Sequence, residues 1–243
     1  MALNSISEHM KRDMNVNLDC LRVFTPSAPK MRVGCPNGDG GYVVIDVPDA
    51  KYDVLIAGGV ADQVEFEDTF LDRWKVPCYA YDGTINANFP KTRNPITFMN
   101  KNIGPVETAT ETNMHHLFDA HERIFVKMDI EGAEYPWFRS LDDAKLKKIE
   151  QMVVELHPPH DFSQIMRLAK THWLVHVHAN NYGGMFQVSD NIVMPRVFEC
   201  TFVRKKDGEQ LELNTQPFPT EFDQPNTRDR PDYRLVGYPF VNC

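Results

Sequence analysis

The stretch that most constrains this chain is Arg123 to Trp137, RIFVKMDIEGAEYPW. Ile124, Phe125 and Val126 form a short apolar run of the kind that makes a buried strand. The sequence then turns acidic within a few residues, with Asp129, Glu131 and Glu134 around Gly132. Glu134-Tyr135-Pro136-Trp137 reads as a helix opening with an acid in its first turn, where the helix dipole favours negative charge. A strand that empties through a glycine-containing acidic loop into a helix sets carboxylates at the carboxyl end of a sheet. In open α/β sheets that edge is where ligands bind.

The flanking pattern supports such a sheet. Lys30 to Asp46 reads as a hairpin, MRVG and YVVID joined by a long glycine-rich turn, taken here as a loop closing two edge strands rather than a ligand lid. From Tyr52 onward strands and helices alternate. Val54–Ala57 is a buried strand ending in Gly58-Gly59, and Phe66, Phe70, Leu71 and Trp74 recur at helical spacing. Further strands are expected at Cys78–Tyr81, Ile96–Met99, Met152–Leu156, Trp173–Val177 and Val197–Arg204, with helices near 111–121 and 161–171. No helix-length pattern separates the last two strands, so they are expected to pair antiparallel. Five alternating β-α units plus that terminal pair make an α/β sheet with helices on both faces. The expected organisation is an N-terminal helical segment and hairpin over 1–50, a core over 51–206 and an extended, proline-rich C-terminal arm over 207–243.

The net charge of −8, with no basic patch, argues against a nucleic-acid backbone as partner. No stretch approaches the roughly 20 apolar residues that span a bilayer, and residues 1–30 lack the apolar core of a secretory signal. Five cysteines without C-x-x-C spacing fit reduced thiols in a cytoplasm better than a disulfide framework or zinc. The expected location is cytoplasmic, the expected partner a small molecule or glycan, and a homodimer is left open.

Gly58 and Gly59 allow a ligand close to the backbone, but the full G-x-G-x-x-G fingerprint is missing. Asp82 follows Gly58 by 24 residues at the end of the second strand, where an acid holds ribose hydroxyls in nucleotide-binding α/β folds. Without the third glycine a pyrophosphate is poorly cradled. S-adenosylmethionine carries no phosphate, so the methyl donor is favoured over a nicotinamide dinucleotide.

The run VKMDIEGAE (Val126–Glu134) resembles the K-x-D-x-E-G-A-E signature of the FkbM family of S-adenosylmethionine-dependent methyltransferases. Gly59-Val60-Ala61-Asp62 with Phe66-Glu67, Tyr81-Asp82-Gly83-Thr84, Val154–His157 and His178–Asn181 are similar to further segments of that family, in the same order. GDGGYVV (Gly38–Val44) resembles a segment of the subset that methylates surface or capsular sugars. Gly83 replaces the more usual proline, and Gln63 stands where some members carry aspartate. The resemblance implies a Rossmann-like, seven-stranded class I methyltransferase sheet of order 3-2-1-4-5-7-6, with a sugar hydroxyl as acceptor. It also implies cofactor contacts from Gly58, Gly59, Val60, Glu67, Asp82, Gly83, Thr84, Asn102, Ile103 and Asp129, with S-adenosylhomocysteine as the product left behind.

A sugar hydroxyl is a poor nucleophile and needs a base or a cation beside it. Asp129 or His178 is expected as the base, with Glu131 and His157 orienting it and Tyr42, Glu155, Asn180 and Asn181 binding the acceptor. Glu134 reads as a helix-terminal acid, and Lys127, inside a buried strand, as half of a structural ion pair. Asp129, Glu155 and His157 could instead hold a divalent metal, but the Asp-Asn pair that catechol-type methyltransferases place after the fifth strand is missing, and no metal ligand is assigned. The rival readings are an NAD(P)-dependent sugar-modifying enzyme and a non-catalytic interaction module.

Overall fold

The computed structural model describes residues 18–47, 50–85, 89–189 and 192–242, so the helices expected before Leu18 lie outside the described residues. A 3-10 turn (Leu18–Leu21) precedes the hairpin β1 (Lys30–Gly34) and β2 (Gly41–Ile45). Then follow β3 (Val54–Gly58), α1 (Glu65–Trp74), β4 (Cys78–Tyr81), β5 (Thr97–Met99), β6 (Asn102–Ile103), β7 (Glu111–Thr112) and α2 (His115–Ala120). The second half runs β8 (Ile124–Met128), α3 (Glu134–Ser140), α4 (Asp143–Leu146), β9 (Ile149–Leu156), α5 (Phe162–Thr171), β10 (His172–Ala179), β11 (Met185–Ser189), β12 (Ile192–Pro195) and β13 (Phe198–Arg204).

Seven strands form one sheet in the order β5-β4-β3-β8-β9-β13-β10. In chain order this is third, second, first, fourth, fifth, seventh, sixth, as the resemblance implied. The first five are parallel, and β13 runs antiparallel to both β9 and β10. β3 and β8 are buried along their whole length, as central parallel strands covered on both faces must be. Phe66, Phe70 and Leu71 of α1 pack with Tyr52, Leu55 and Phe125 on one face of the sheet. Phe118, Trp137, Phe138, Leu146, Ile165 and Leu168 from the other helices pack into the larger core.

Three sequence expectations need correction. Among the described residues no helix joins β4 to β5, so one of the five β-α units is a loop. The helix expected over 111–121 is confined to His115–Ala120, because Glu111 and Thr112 pair instead with Asn102 and Ile103. Between β10 and β13 the chain inserts a hairpin, β11–β12, which its weak alternation concealed.

The N-terminal hairpin lies across the sheet. Gln151 of β9 both accepts from the Ile45 amide (2.6 Å) and donates to the Ile45 carbonyl (3.0 Å), and Thr201 of β13 donates to the Val43 carbonyl. The C-terminal arm packs back through a bridge of Leu213 to Phe24 and folds on itself through one of Leu235 to Phe218.

Candidate active site

Strand register builds the site. His178 of β10 faces Glu199 of β13, and Glu199 faces Glu155 of β9. Met128, the last residue of β8, pairs with Val154, so Asp129 emerges beside Glu155. Because side chains alternate along a strand, cross-strand partners share a face. A row of ionisable groups, Asp129, Glu155, Glu199 and His178, therefore crosses four neighbouring strands near the carboxyl edge of the parallel ones.

Tyr42 of β2 covers this row, its hydroxyl donating to Asp129 Oδ2 at 3.2 Å. Asn180 donates to Glu155 Oε1 at 2.5 Å. Asp129 Oδ1 is buried and has no hydrogen-bond partner among the described residues. Burial, then the charges of Asp129 and Glu199, push the Glu155 carboxyl well above the usual range. The same surroundings push the Tyr42 hydroxyl up, burial first and Asp129 next. Two carboxyl groups in contact in a dry site cannot both ionise cheaply, so the charged form of Glu155 is disfavoured.

His178 does not fit the role of base. Its Nδ1 lies 3.2 Å from Glu199 Oε2 and its Nε2 lies 3.0 Å from Asp232 Oδ2. Burial opposes the charge on the ring, but these carboxylates outweigh it and lift the imidazole to about 11. An imidazolium donating from both nitrogens has no lone pair to take a proton. Two residues earlier, His176 is pushed the other way. Burial lowers its pKa, Lys30 approaches Nδ1 at 3.2 Å, and Nε2 donates to Asp223 Oδ1 at 2.8 Å.

Asn181 also departs from its expected role. It is buried, donates to the carbonyls of Thr227 (2.9 Å) and Arg230 (3.1 Å), and accepts from the Thr227 amide (2.9 Å). It pins the arm rather than facing an acceptor. Asn180 is the member of the pair that reaches the carboxylate row.

His157 and Glu131, expected to orient the base, are brought together with Glu134. His157 Nε2 lies 3.4 Å from Glu131 Oε2, while Nδ1 lies 3.0 Å from Glu134 Oε1. Glu134 is 0% exposed, and the same oxygen accepts from the Ile130 and Gly132 amides. It thus shapes the acidic loop, in which Glu131 and Gly132 adopt positive φ. Burial disfavours the charged His157 ring, but the hydrogen bond and charge of Glu134 prevail and raise its pKa.

The glycine turn adjoins this row. Gly59 has φ of +68°, and a β-carbon there would collide with the Asp129 carbonyl, so only glycine lets the two loops meet. Lys127 donates to the carbonyls of Gly59 (2.5 Å) and Gly58 (3.3 Å). This corrects the expected ion pair: Lys127 fastens the turn, and its charge acts on Glu67 without direct contact. Both oxygens of Glu67 are buried without hydrogen-bond partners among the described residues. Asp82 accepts from the Ala61 amide through Oδ2 (2.9 Å) and from the Thr84 amide and hydroxyl through Oδ1 (2.7 and 2.5 Å). Against the upward push of burial, these bonds hold its carboxyl below the usual range. Gly83 packs on Asn102, Ile103 is buried against Gly58, and Val60 is buried with Ala57 and Ala80.

These residues fit a nucleoside bearing an amino acid. Asp82 is ionised and keeps a lone pair on Oδ2 for a ribose hydroxyl, and the glycine turn admits a ligand against the backbone. By contrast, a depression of about 370 Å³ lined by Leu71, Lys75, Val76, Pro77, Asn94 and Pro95 lies at the amino end of β4, away from these groups.

Sheet order, glycine turn, strand-end acid and acidic loop define an α/β enzyme of the methyltransferase class. The methyltransferase FkbM domain profile matches residues 32–203, most of the chain. The chain belongs to the FkbM methyltransferase family. No curated protein is similar enough to match it. Among solved structures, a Streptococcus pneumoniae protein assigned as a tRNA (m1A22) methyltransferase superposes at TM-score 0.35 with 12% identity, over 65% of this chain and 66% of that one. This chain thus spans just under two thirds of that protein. A Shewanella protein assigned to riboflavin biosynthesis superposes at TM-score 0.24 with 12% identity, over 72% of this chain and 85% of that one. Both likenesses are loose and carry nothing about substrate.

Proposed function

We propose that this methyltransferase uses S-adenosylmethionine to methylate a hydroxyl of a carbohydrate, on a surface glycan or a nucleotide-linked sugar. The observation that carries the reading is the approach of Tyr42 to Asp129 beside the Gly58-Gly59 turn, with Asp129 Oδ1 buried and unpartnered. Tyr42 belongs to GDGGYVV, the segment that resembles sugar-methylating members, so the part of the chain suggestive of the acceptor also reaches the reacting edge.

The cofactor, when bound, supplies a methyl group activated as a sulfonium. The chain aligns the acceptor and receives its proton. Asp82 holds the ribose and the glycine turn admits the amino-acid portion. Asp129 accepts the acceptor's proton through Oδ1 while Tyr42 steadies Oδ2, and Asn180 keeps Glu155 in place. A cofactor held there would supply the methyl group to the aligned oxygen and leave as S-adenosylhomocysteine, its sulfur keeping the electron pair of the broken bond. His178 remains a fixed positive charge that balances Glu199.

The test is incubation with S-adenosylmethionine and a panel of nucleotide-linked sugars, glycans and small phenols, read by mass. A methyl mass increment on a sugar supports the proposal. An increment confined to phenols removes the carbohydrate assignment, and calorimetry with no S-adenosylhomocysteine binding removes the cofactor.

A further inference from the structure

Asp129, Glu155 and His157 each present one ligand atom, and these three atoms lie within 4.8 Å of one another. A six-coordinate shell with bonds of roughly 2.1–2.4 Å spans about that distance between its farthest ligands, so one hard divalent cation could touch all three.

Four further observations favour a cation. Asp129 Oδ1 is buried with no hydrogen-bond partner among the described residues, although its second oxygen is held by Tyr42. Glu155 is 4% exposed and in contact with the Asp129 carboxylate, a crowding of carboxyls that a cation, like a shared proton, would relieve. The nearby positive side chains are engaged elsewhere: Lys127 with the glycine carbonyls, and His178 with Glu199 and Asp232. In addition, His157 is set as a metal-binding imidazole is. The fully buried Glu134 takes Nδ1 and fixes the tautomer, and among the described residues Nε2 pairs with the exposed Glu131 at 3.4 Å.

We infer that Asp129, Glu155 and His157 form a binding site for a six-coordinate divalent cation such as Mn²⁺ or Mg²⁺. The inference deepens the methyl-transfer reading and rests on it only for its purpose: the open positions would hold the acceptor oxygen beside the glycine turn. Glu134 is then a positioning residue acting through the imidazole, and Asn180 one acting through Glu155.

The test uses the full chain, stripped with a chelator and titrated with MnCl₂ alone, with free Mn²⁺ followed by electron paramagnetic resonance. One ion should bind per chain, and saturation should raise the melting temperature by about 5–10 °C. Asp129→Asn and Glu155→Gln should abolish binding. Glu134→Gln, which keeps an acceptor for the loop amides, should weaken it about 10–100-fold. Folding of each variant is checked by circular dichroism without metal. Under those conditions Glu155→Gln should melt no lower than the parent, because it removes a crowded carboxyl. Absence of bound Mn²⁺ in the parent at millimolar concentration would overturn the inference and leave a shared proton as the neutralising charge. So would variants that bind like the parent. Calorimetry with S-adenosylhomocysteine separates the two readings: cofactor binding without Mn²⁺ sinks only the cation, and Mn²⁺ without cofactor sinks only the methyl transfer.

Discussion

The Tyr42 hydroxyl donates to Asp129 Oδ2 across 87 residues of chain, from the N-terminal hairpin to the loop after β8. This bond makes the hairpin a wall of the site rather than an appendage. It also orients one oxygen of Asp129 while the other is buried without a hydrogen-bond partner among the described residues. Asp129→Asn should lower methyl transfer by about 10²–10⁴-fold, the range for loss of a proton acceptor, with little change in S-adenosylhomocysteine affinity. Rates and calorimetry on the same preparations check it, and an active Asp129→Asn variant would move the base elsewhere.

Asp82 is held by three hydrogen bonds from Ala61 and Thr84 and is ionised at neutral pH. Asp82→Ala should weaken S-adenosylhomocysteine binding by about 10–100-fold, corresponding to roughly 1.5–3 kcal/mol for a hydrogen bond to a charged group. Titration calorimetry measures it directly.

His178 is lifted to about 11 between Glu199 and Asp232. For a histidine raised in the folded state, the stability it contributes is fully present below its unfolded pKa of about 6.5 and fades as pH climbs toward the folded value. His178→Gln should therefore cost on the order of 3–5 kcal/mol near neutrality, because it strands buried carboxylates. The gap between parent and variant should narrow between pH 7 and pH 10, and denaturant melts across that range test the sign.

Asn181 makes three hydrogen bonds to the arm at Thr227 and Arg230. Asn181→Ala removes three hydrogen bonds to partly exposed backbone groups of the arm, at about 0.5–1.5 kcal/mol each. The arm around 225–232 should exchange amide hydrogens faster and be cleaved sooner by protease, with cofactor affinity retained. If Asn181→Ala chiefly impaired acceptor binding with the arm undisturbed, its assignment to the arm would be wrong.

The sheet was largely legible because β3 and the segments Ile124–Val126 of β8 and Met152–Val154 of β9 are apolar runs, and the pairing of β10 with β13 followed from the lack of a helix between them. The acidic loop and Gly58-Gly59 were readable because their residue types leave few alternatives at a strand end. The charge state of His178 was not readable. Its alternation with His176 is visible in the sequence, but Glu199 enters only through antiparallel register, and Asp232 through an arm with no periodic pattern. Lys127 misled for a similar reason. A buried lysine suggests a carboxylate, whereas backbone carbonyls of the neighbouring turn, invisible to side-chain reading, take its protons.

The arm has a consequence for the order in which the molecule is completed. Asp223 and Asp232 hold the Nε2 atoms of the two imidazoles of β10, so a nascent chain that has not yet passed them carries the seven strands with one nitrogen of each ring unanswered. The reacting edge is finished after the sheet that bears it, and a ribosome stalled short of Asp232 would display the architecture of the enzyme with its polar row out of balance.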